Sequence, residues 1–273
     1  MVHRHSQPGN VDLDGSPALV ARRHPLTMVY GGGGVFGIAY TSGVAAGLAE
    51  TGIPVATVPS LGTSAGSWTA SALALGLSYE DFREVESPPV PTLRQGVLAD
   101  IARQLFGEAT HPLVSVSAVC LTSGRRHILD GGVYPLADLV AASSAVPGLF
   151  PPHRVAGRTY VDGGMWSATS VDAAAEADQV IVVAPLAGAV MGPLGRTAGF
   201  LLDRELRRWR ARHPESSITL IRPNRVMARV AGIKPLALFD DDRAREVYPM
   251  AFEQGLRYGE QLSRPTAEPG PAA

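Results

Sequence analysis

Cysteine is almost missing from this chain: Cys120 is the only one in 273 residues. That excludes an intrachain disulfide framework and any structural zinc site built on cysteine. The setting Ser117-Ala118-Val119-Cys120-Leu121 reads as a strand, with the thiol as a small buried hydrophobe rather than a reactive group. A dominant charge is missing as well. Lys and Arg total 24 against 25 Asp and Glu, a formal net charge of −1, so no global field draws the chain to nucleic acid, and no nucleic-acid partner is expected. Lysine itself is nearly absent, Lys234 standing alone among arginines. Met1-Val2-His3-Arg4-His5-Ser6-Gln7-Pro8 has no apolar run behind its charges, unlike a secretory signal, and the expectation is a cytoplasmic protein. Residues 26–49 and 51–79 carry no charge and are long enough to span a bilayer. Both are dense in Gly, Ser, Thr and Pro, however, and each reads as strand, glycine turn and helix, the pattern of a covered α/β interior. No internal repeat is present.

What remains is 45% hydrophobic and 18% charged, a composition that buries a full core. Strand patterns at 26–30, 53–61, 113–121, 125–129, 158–161, 180–184 and 217–221 alternate with helical patterns at 37–50, 64–75, 136–143, 197–213 and 243–262. A Ser123-Gly124 turn joins two of the strands, and 87–91 is a proline-rich break. The alternation predicts an α/β fold, a largely parallel central sheet covered by helices on both faces. The ends, 1–25 and 263–273, lack hydrophobes in any period and are expected to be tails around one domain at 26–262.

Chemistry concentrates in two glycine-rich turns. Gly62-Thr63-Ser64-Ala65-Gly66 is G-x-S-x-G between a strand and a helix, the context that exposes a serine hydroxyl at the carboxyl edge of a sheet. The helix N-terminus beside it favours a developing alkoxide. Without such a role Ser64 would be a plain helix cap. The second turn, Gly31-Gly32-Gly33-Gly34-Val35-Phe36-Gly37, matches G-x-G-x-x-G, yet the following strand pattern ends Pro59-Ser60-Leu61-Gly62 with no carboxylate to hold a ribose. A nest of backbone N–H groups around an anion suits it better, either a phosphate or the oxyanion of acyl transfer.

A serine nucleophile needs a base. His111, His127, His153 and His213 precede a proline, lie within a strand, follow two prolines and end a helix, respectively; none sits in a glycine-rich loop at a strand end. For His213, capping the helix carbonyls is the simpler role. A buried aspartate can serve instead, and both Asp130-Gly131-Gly132 and Asp162-Gly163-Gly164 qualify on sequence.

Taken in order, these motifs resemble the patatin-like phospholipases, bacterial acyl hydrolases with a Ser-Asp dyad. The resemblance runs over residues 27–190: the Gly31 to Gly37 loop, the Gly62 to Gly66 elbow, Ala142-Ser143-Ser144-Ala145-Val146-Pro147-Gly148-Leu149-Phe150-Pro151-Pro152, and Tyr160-Val161-Asp162-Gly163-Gly164. It implies a patatin-like three-layer fold, Ser64 as nucleophile, and Asp162 rather than Asp130 as base, with Asp130 a turn residue. It further implies Gly32, Gly33 and Gly34 as the oxyanion hole, Gly62, Thr63, Ala65 and Gly66 as the elbow, and Gly163 and Gly164 as support. Two departures stand out: Phe36 occupies the place of the family's usual arginine, and Met165-Trp166-Ser167-Ala168-Thr169-Ser170-Val171-Asp172 replaces an Asn-x-Pro.

The expected function is therefore hydrolysis of lipid carboxylic esters through an acyl-enzyme, with a lipid or other acyl ester as partner and no metal or cofactor. Acyl transfer on the same site, or a lipid-binding scaffold that keeps the fold, are the alternatives. Finally, the helix around 200–212 puts Leu202, Leu206 and Trp209 on one face and arginines on the other. It is expected either to dock on the sheet or to make transient contact with an anionic membrane surface.

Overall fold

A computed structural model describes residues 23–188, 191–232 and 234–264. Its centre is a sheet in which β3 (Val114–Cys120), β2 (Ser60–Thr63), β1 (His24–Tyr30), β7 (Ala177–Val183) and β8 (Ser217–Ile221) lie side by side and parallel. Along β1 the side chains alternate in the way a strand covered on both faces requires. Met28 and Tyr30 enter one core cluster, and Val29 enters the other.

The larger cluster lies under α1 (Gly34–Glu50), α2 (Ala65–Ala74), α4 (Val97–Phe106), α5 (Leu136–Ser143) and α8 (Asp241–Ser263). Helix α1 is buried over most of its surface. Its glycines let α8 approach backbone to backbone: a Cβ at Gly47 would fall on the Phe252 carbonyl, and one at Gly255 on that of Val44. The smaller cluster lies under α6 (Gly192–Arg212), whose Leu202, Leu206 and Trp209 are buried against Val180 and Val182. Helices thus cover both faces, as expected from the alternation. The apolar face formed by Leu202, Leu206 and Trp209 is thus docked on the sheet, while Phe200 of the same helix is exposed. Among the described residues no helix is long and apolar enough to cross a bilayer.

Three antiparallel strands complete the sheet edge. Strand β4 (Arg125–Asp130) folds back on β3 through the Ser123-Gly124 turn, where Gly124 takes φ 63°. Strands β5 (His153–Val155) and β6 (Arg158–Asp162) form a hairpin, and β6 pairs with β3 at 118–120. A strand has two edges. Because β4 fills one edge of β3 along 115–120, and β2 the other along 114–117, β6 must continue on the β2 edge just beyond the point where β2 stops.

Several boundaries differ from expectation. The strand expected at 53–61 is only Ser60–Thr63; Pro54 and Pro59 lack N–H groups for a ladder, and 53–59 turns instead. Helix α1 begins at Gly34 rather than 37, inside the glycine loop. The short α3 (Tyr79–Arg83), α4 and α7 (Arg225–Ala231) were not anticipated. Of the expected tails, 1–22 and 265–273 fall outside the described residues. His24 and Pro25 belong to β1, pinned by the His24 N–H to the Glu176 carbonyl at 2.9 Å, and Ser263 closes α8. Cys120 is buried at the end of β3.

Candidate active site

The turn from β2 into α2 is possible only with glycine on both sides of the serine. A Cβ at Gly66 would fall on the Tyr30 carbonyl of β1, and one at Gly62 on the Ser67 Cα. Ser64 between them takes φ 51°, a region costly for a residue with a Cβ and typical of strained functional turns. The turn is locked by hydrogen bonds. The Ser64 N–H donates to Ser143 Oγ at 2.8 Å, and that hydroxyl donates to the Ser117 carbonyl at 2.7 Å. Ser67 Oγ donates to the Ser64 carbonyl at 2.6 Å. The Ser64 hydroxyl itself caps no N–H of α2, so it is not held as a helix cap.

Asp162 reaches the serine through sheet register. In the ladder Thr63 stands opposite Ser117, and Asp162 opposite Ala118, on the same edge of β3. The carboxyl ends of β2 and β6 therefore meet head to head. Gly163 makes the approach possible, since a Cβ there would strike the Ser117 carbonyl. Asp162 Oδ1 accepts the Gly164 N–H at 2.6 Å, while Oδ2 completes no hydrogen bond. Burial pushes the carboxyl up to about 6, held back by the Ser64 side chain facing it and by the Gly164 N–H. Asp130 pairs with Ser115 on the far edge of β3, three residues or roughly 10 Å along the strand from Ala118. Its Oδ1 accepts the Gly132 N–H at 2.8 Å, as a turn residue does.

The four glycines after β1 divide their labour differently from the expectation. Gly31 donates to the Val183 carbonyl at 2.9 Å, and Gly32 to the Ala168 carbonyl at 2.8 Å. Gly32 is thus a structural donor with no N–H left for an oxyanion. Gly33 and Gly34 open α1, where N–H groups have no partner four residues back. Gly34, at φ 62°, lines the same cavity as Ser64 and Ala65. Ala65 opens α2 directly after the nucleophile position, so its N–H is a further candidate donor. Phe36 points away from this chemistry: it is fully buried and stacks on Tyr40 at 6.3 Å between ring centres.

A residue that the sequence reading passed over braces this loop. Glu205, buried on the inner face of α6, accepts the Val171 N–H at 3.2 Å and the Thr169 hydroxyl at 3.3 Å. Burial raises its carboxyl to about 7, with the nearby Asp172 adding to the effect. Ser167 Oγ accepts the N–H groups of Thr169 and Ser170 at 3.2 and 3.0 Å, and Arg126 pairs with Asp172 at 2.6 Å. These contacts hold the stretch that replaces Asn-x-Pro, and that stretch presents the Ala168 carbonyl to Gly32. The signal was legible: Glu205 shares the spacing of Leu202, Leu206 and Trp209, a carboxyl on an apolar face.

Among the described residues no histidine lines the cavity. His127 pairs with the Tyr160 hydroxyl at 3.2 Å, His153 with Asp138 at 3.0 Å, and the His111 Nδ1 accepts the Leu113 N–H at 3.3 Å. His213 does not cap α6 with its ring, which packs on Trp209 and approaches Glu176.

The cavity beside Ser64 has a volume of about 370 Å³, within the range of small-molecule sites. Its walls are apolar, with Trp68 of α2, Phe82 of α3, Leu98, Ile101 and Leu105 of α4, and Phe150. Residues 83–88 and the first turn of α8 border it, joined where the Ser87 hydroxyl donates to Asp241 at 2.9 Å.

Comparison with known proteins agrees with the motifs. Residues 89–175 match the family model of the patatin-like phospholipases, which bears out that resemblance. Among solved structures the chain is similar to VipD from Legionella pneumophila, at 13% identity and a TM-score of 0.46, over 95% of this chain and 72% of that one. No curated protein sequence matches.

Proposed function

We propose that this patatin-like chain is a serine acyl hydrolase acting on the carboxylic esters of lipids. The observation that carries the reading is the meeting of a serine on a strained turn and a buried carboxylate with one free oxygen, on the wall of an apolar cavity. Ser64 attacks the acyl carbonyl while Asp162 Oδ2 takes its proton. The first N–H groups of α1, at Gly33 and Gly34, and that of Ala65 stabilise the tetrahedral oxyanion. Asp162 returns the proton to the leaving alkoxide, giving free alcohol and an acyl-Ser64 ester. Water then attacks that ester, Asp162 accepts its proton, and the proton passes to Ser64 Oγ as the fatty acid leaves. The apolar walls suit an acyl chain, and an aspartate whose carboxyl is raised to about 6 is a better base than an exposed one.

A fluorophosphonate probe tests this directly. The chain should label, and Ser64→Ala should neither label nor hydrolyse p-nitrophenyl esters, while its melting temperature stays within a few degrees of the parent. Residual turnover near that of the parent, or failure of the folded parent to label, refutes the assignment; the second result leaves a binding scaffold.

A further inference from the structure

A second concavity, of about 720 Å³, opens beside the acyl cavity and has a different chemistry. Among the described residues its charged lining is Arg225 and Arg229 of α7, Lys234, and Arg243 of α8, with no carboxylate. Arg225 and Arg229 are one turn apart on α7, an arrangement of like charges that opposes the helix unless an anion lies between them. Among the described residues Arg225, Arg229 and Lys234 form no ion pair, whereas Arg243 pairs with Asp240. Arg243 is the anchored member, donating to the Val230 carbonyl at 2.6 Å and to Asp240 at 3.3 Å. The N-terminal N–H groups of α7 play no part, because the Asn224 side chain accepts those of Val226 and Met227.

The concavity shares a wall with the acyl site. In the turn Pro235–Phe239, Ala237 lines the basic concavity and Phe239 the acyl cavity, while the Leu238 carbonyl packs on Gly34. The first turns of α8 divide likewise, Arg243 facing the basic side and Asp241 and Arg245 the acyl side. Val226 and Leu236, each next in sequence or nearly so to one of the cations, are 54% and 55% exposed.

We infer that this concavity is a binding site for a phosphate-bearing anion. Arg225, Arg229 and Lys234, which line one concavity with no carboxylate paired to them, supply the charge and the donors that a phosphate requires. The proposed lipid substrate, together with exposed Val226 and Leu236 on the elements that carry the cations, favours a phospholipid headgroup as its source; only that choice of source rests on the hydrolase reading.

The test uses the full chain carrying Ser64→Ala, so that binding is read whether or not the parent hydrolyses lipid. Sedimentation with phosphatidylcholine vesicles, with and without phosphatidylglycerol, is compared with thermal shift in inorganic phosphate against chloride at matched ionic strength. The anionic vesicles should bind and be displaced by phosphate. Adding Arg225→Gln, Arg229→Gln and Lys234→Gln together should weaken vesicle binding on the order of a hundredfold, as expected for three surface cations. All three side chains are exposed, and Lys234→Glu alone, which should also weaken binding, guards against misfolding of the triple variant. Stabilisation by phosphate with no vesicle binding keeps the site and assigns it a soluble phosphoester. Equal effects of phosphate and chloride, together with vesicle binding unaltered in both variants, overturn the proposal.

Discussion

In the proposed mechanism Asp162 sets activity and stability against each other. Its carboxyl, raised by burial to about 6, is charged only above that pH. The acidic limb of kcat/KM should therefore rise through an apparent pKa near 6 in a pH profile. The stability consequence has the opposite sign. Unfolded, the group titrates near 3.9, so between about 4 and 6 the folded state holds the proton more tightly, and folding stability falls as pH rises through that window. Asp162→Asn keeps the shape and the Gly164 contact without the buried charge. It should lower kcat at least about a thousandfold, as loss of a catalytic base does, and at pH 8 it should be more stable to denaturant than the parent by about 1–3 kcal/mol. Asp130→Asn should stay within about tenfold of parental kcat, because Asp130 serves its own turn. A reversed ranking of the two aspartates would remove Asp162 from the mechanism. As segments the two D-G-G runs are alike; the resemblance in motif order singles out Asp162, and in space the two are separated by the edge of β3 to which each strand is paired.

Among elements, the glycine loop and the 167–171 stretch act as one unit with α6 behind them. Helix, strand and turn types were mostly readable where the pattern was long. The buried runs of β1 and β7 and the apolar stripe of α6 declare themselves by period alone. The amphipathic α4, with Val97, Leu98, Ile101 and Leu105 along one side, was equally legible and was passed over. The split of function among Gly31, Gly32, Gly33 and Gly34 was not legible, because it depends on which carbonyl each N–H meets. Glu205 holds that split in place from a distance. Glu205→Leu leaves the Val171 N–H buried without an acceptor, at a cost of about 1–3 kcal/mol, and should lower kcat through the displaced loop while leaving fluorophosphonate labelling of Ser64 detectable. Glu205→Gln retains an acceptor and should preserve kcat. Because the Glu205 carboxyl is raised to about 7 against about 4.3 unfolded, its contribution to stability declines as pH rises through that interval. The Gln variant should therefore melt higher than the parent at pH 8 and about equally at pH 4; a parental advantage at pH 8 contradicts this account.

At the scale of the molecule, the apolar cavity beside Ser64 exists because α2, α3 and α4 leave a gap that residues 83–88 and α8 close over. Filling it should change which esters are accepted. Ile101→Trp removes room for several methylenes, each worth about 0.8 kcal/mol when buried, and should reduce kcat/KM for long-chain p-nitrophenyl esters by at least about tenfold relative to short-chain ones. An unchanged chain-length profile would place the acyl chain elsewhere. The composition, the order of the motifs, the α/β alternation and the identity of the serine turn were determined by the sequence itself, since each depends on neighbours within a few residues. The engagement of the Gly32 N–H by the Ala168 carbonyl, the brace from Glu205 and the pairing of an apolar cavity with a basic one were decided only by the tertiary structure. Each of these depends on groups far apart in the chain that become neighbours when β6 lands on the edge of β3 and α8 closes over α1. Burial and hydrogen-bond partners, which set the acidity and availability of every group in the site, are properties of that assembled neighbourhood.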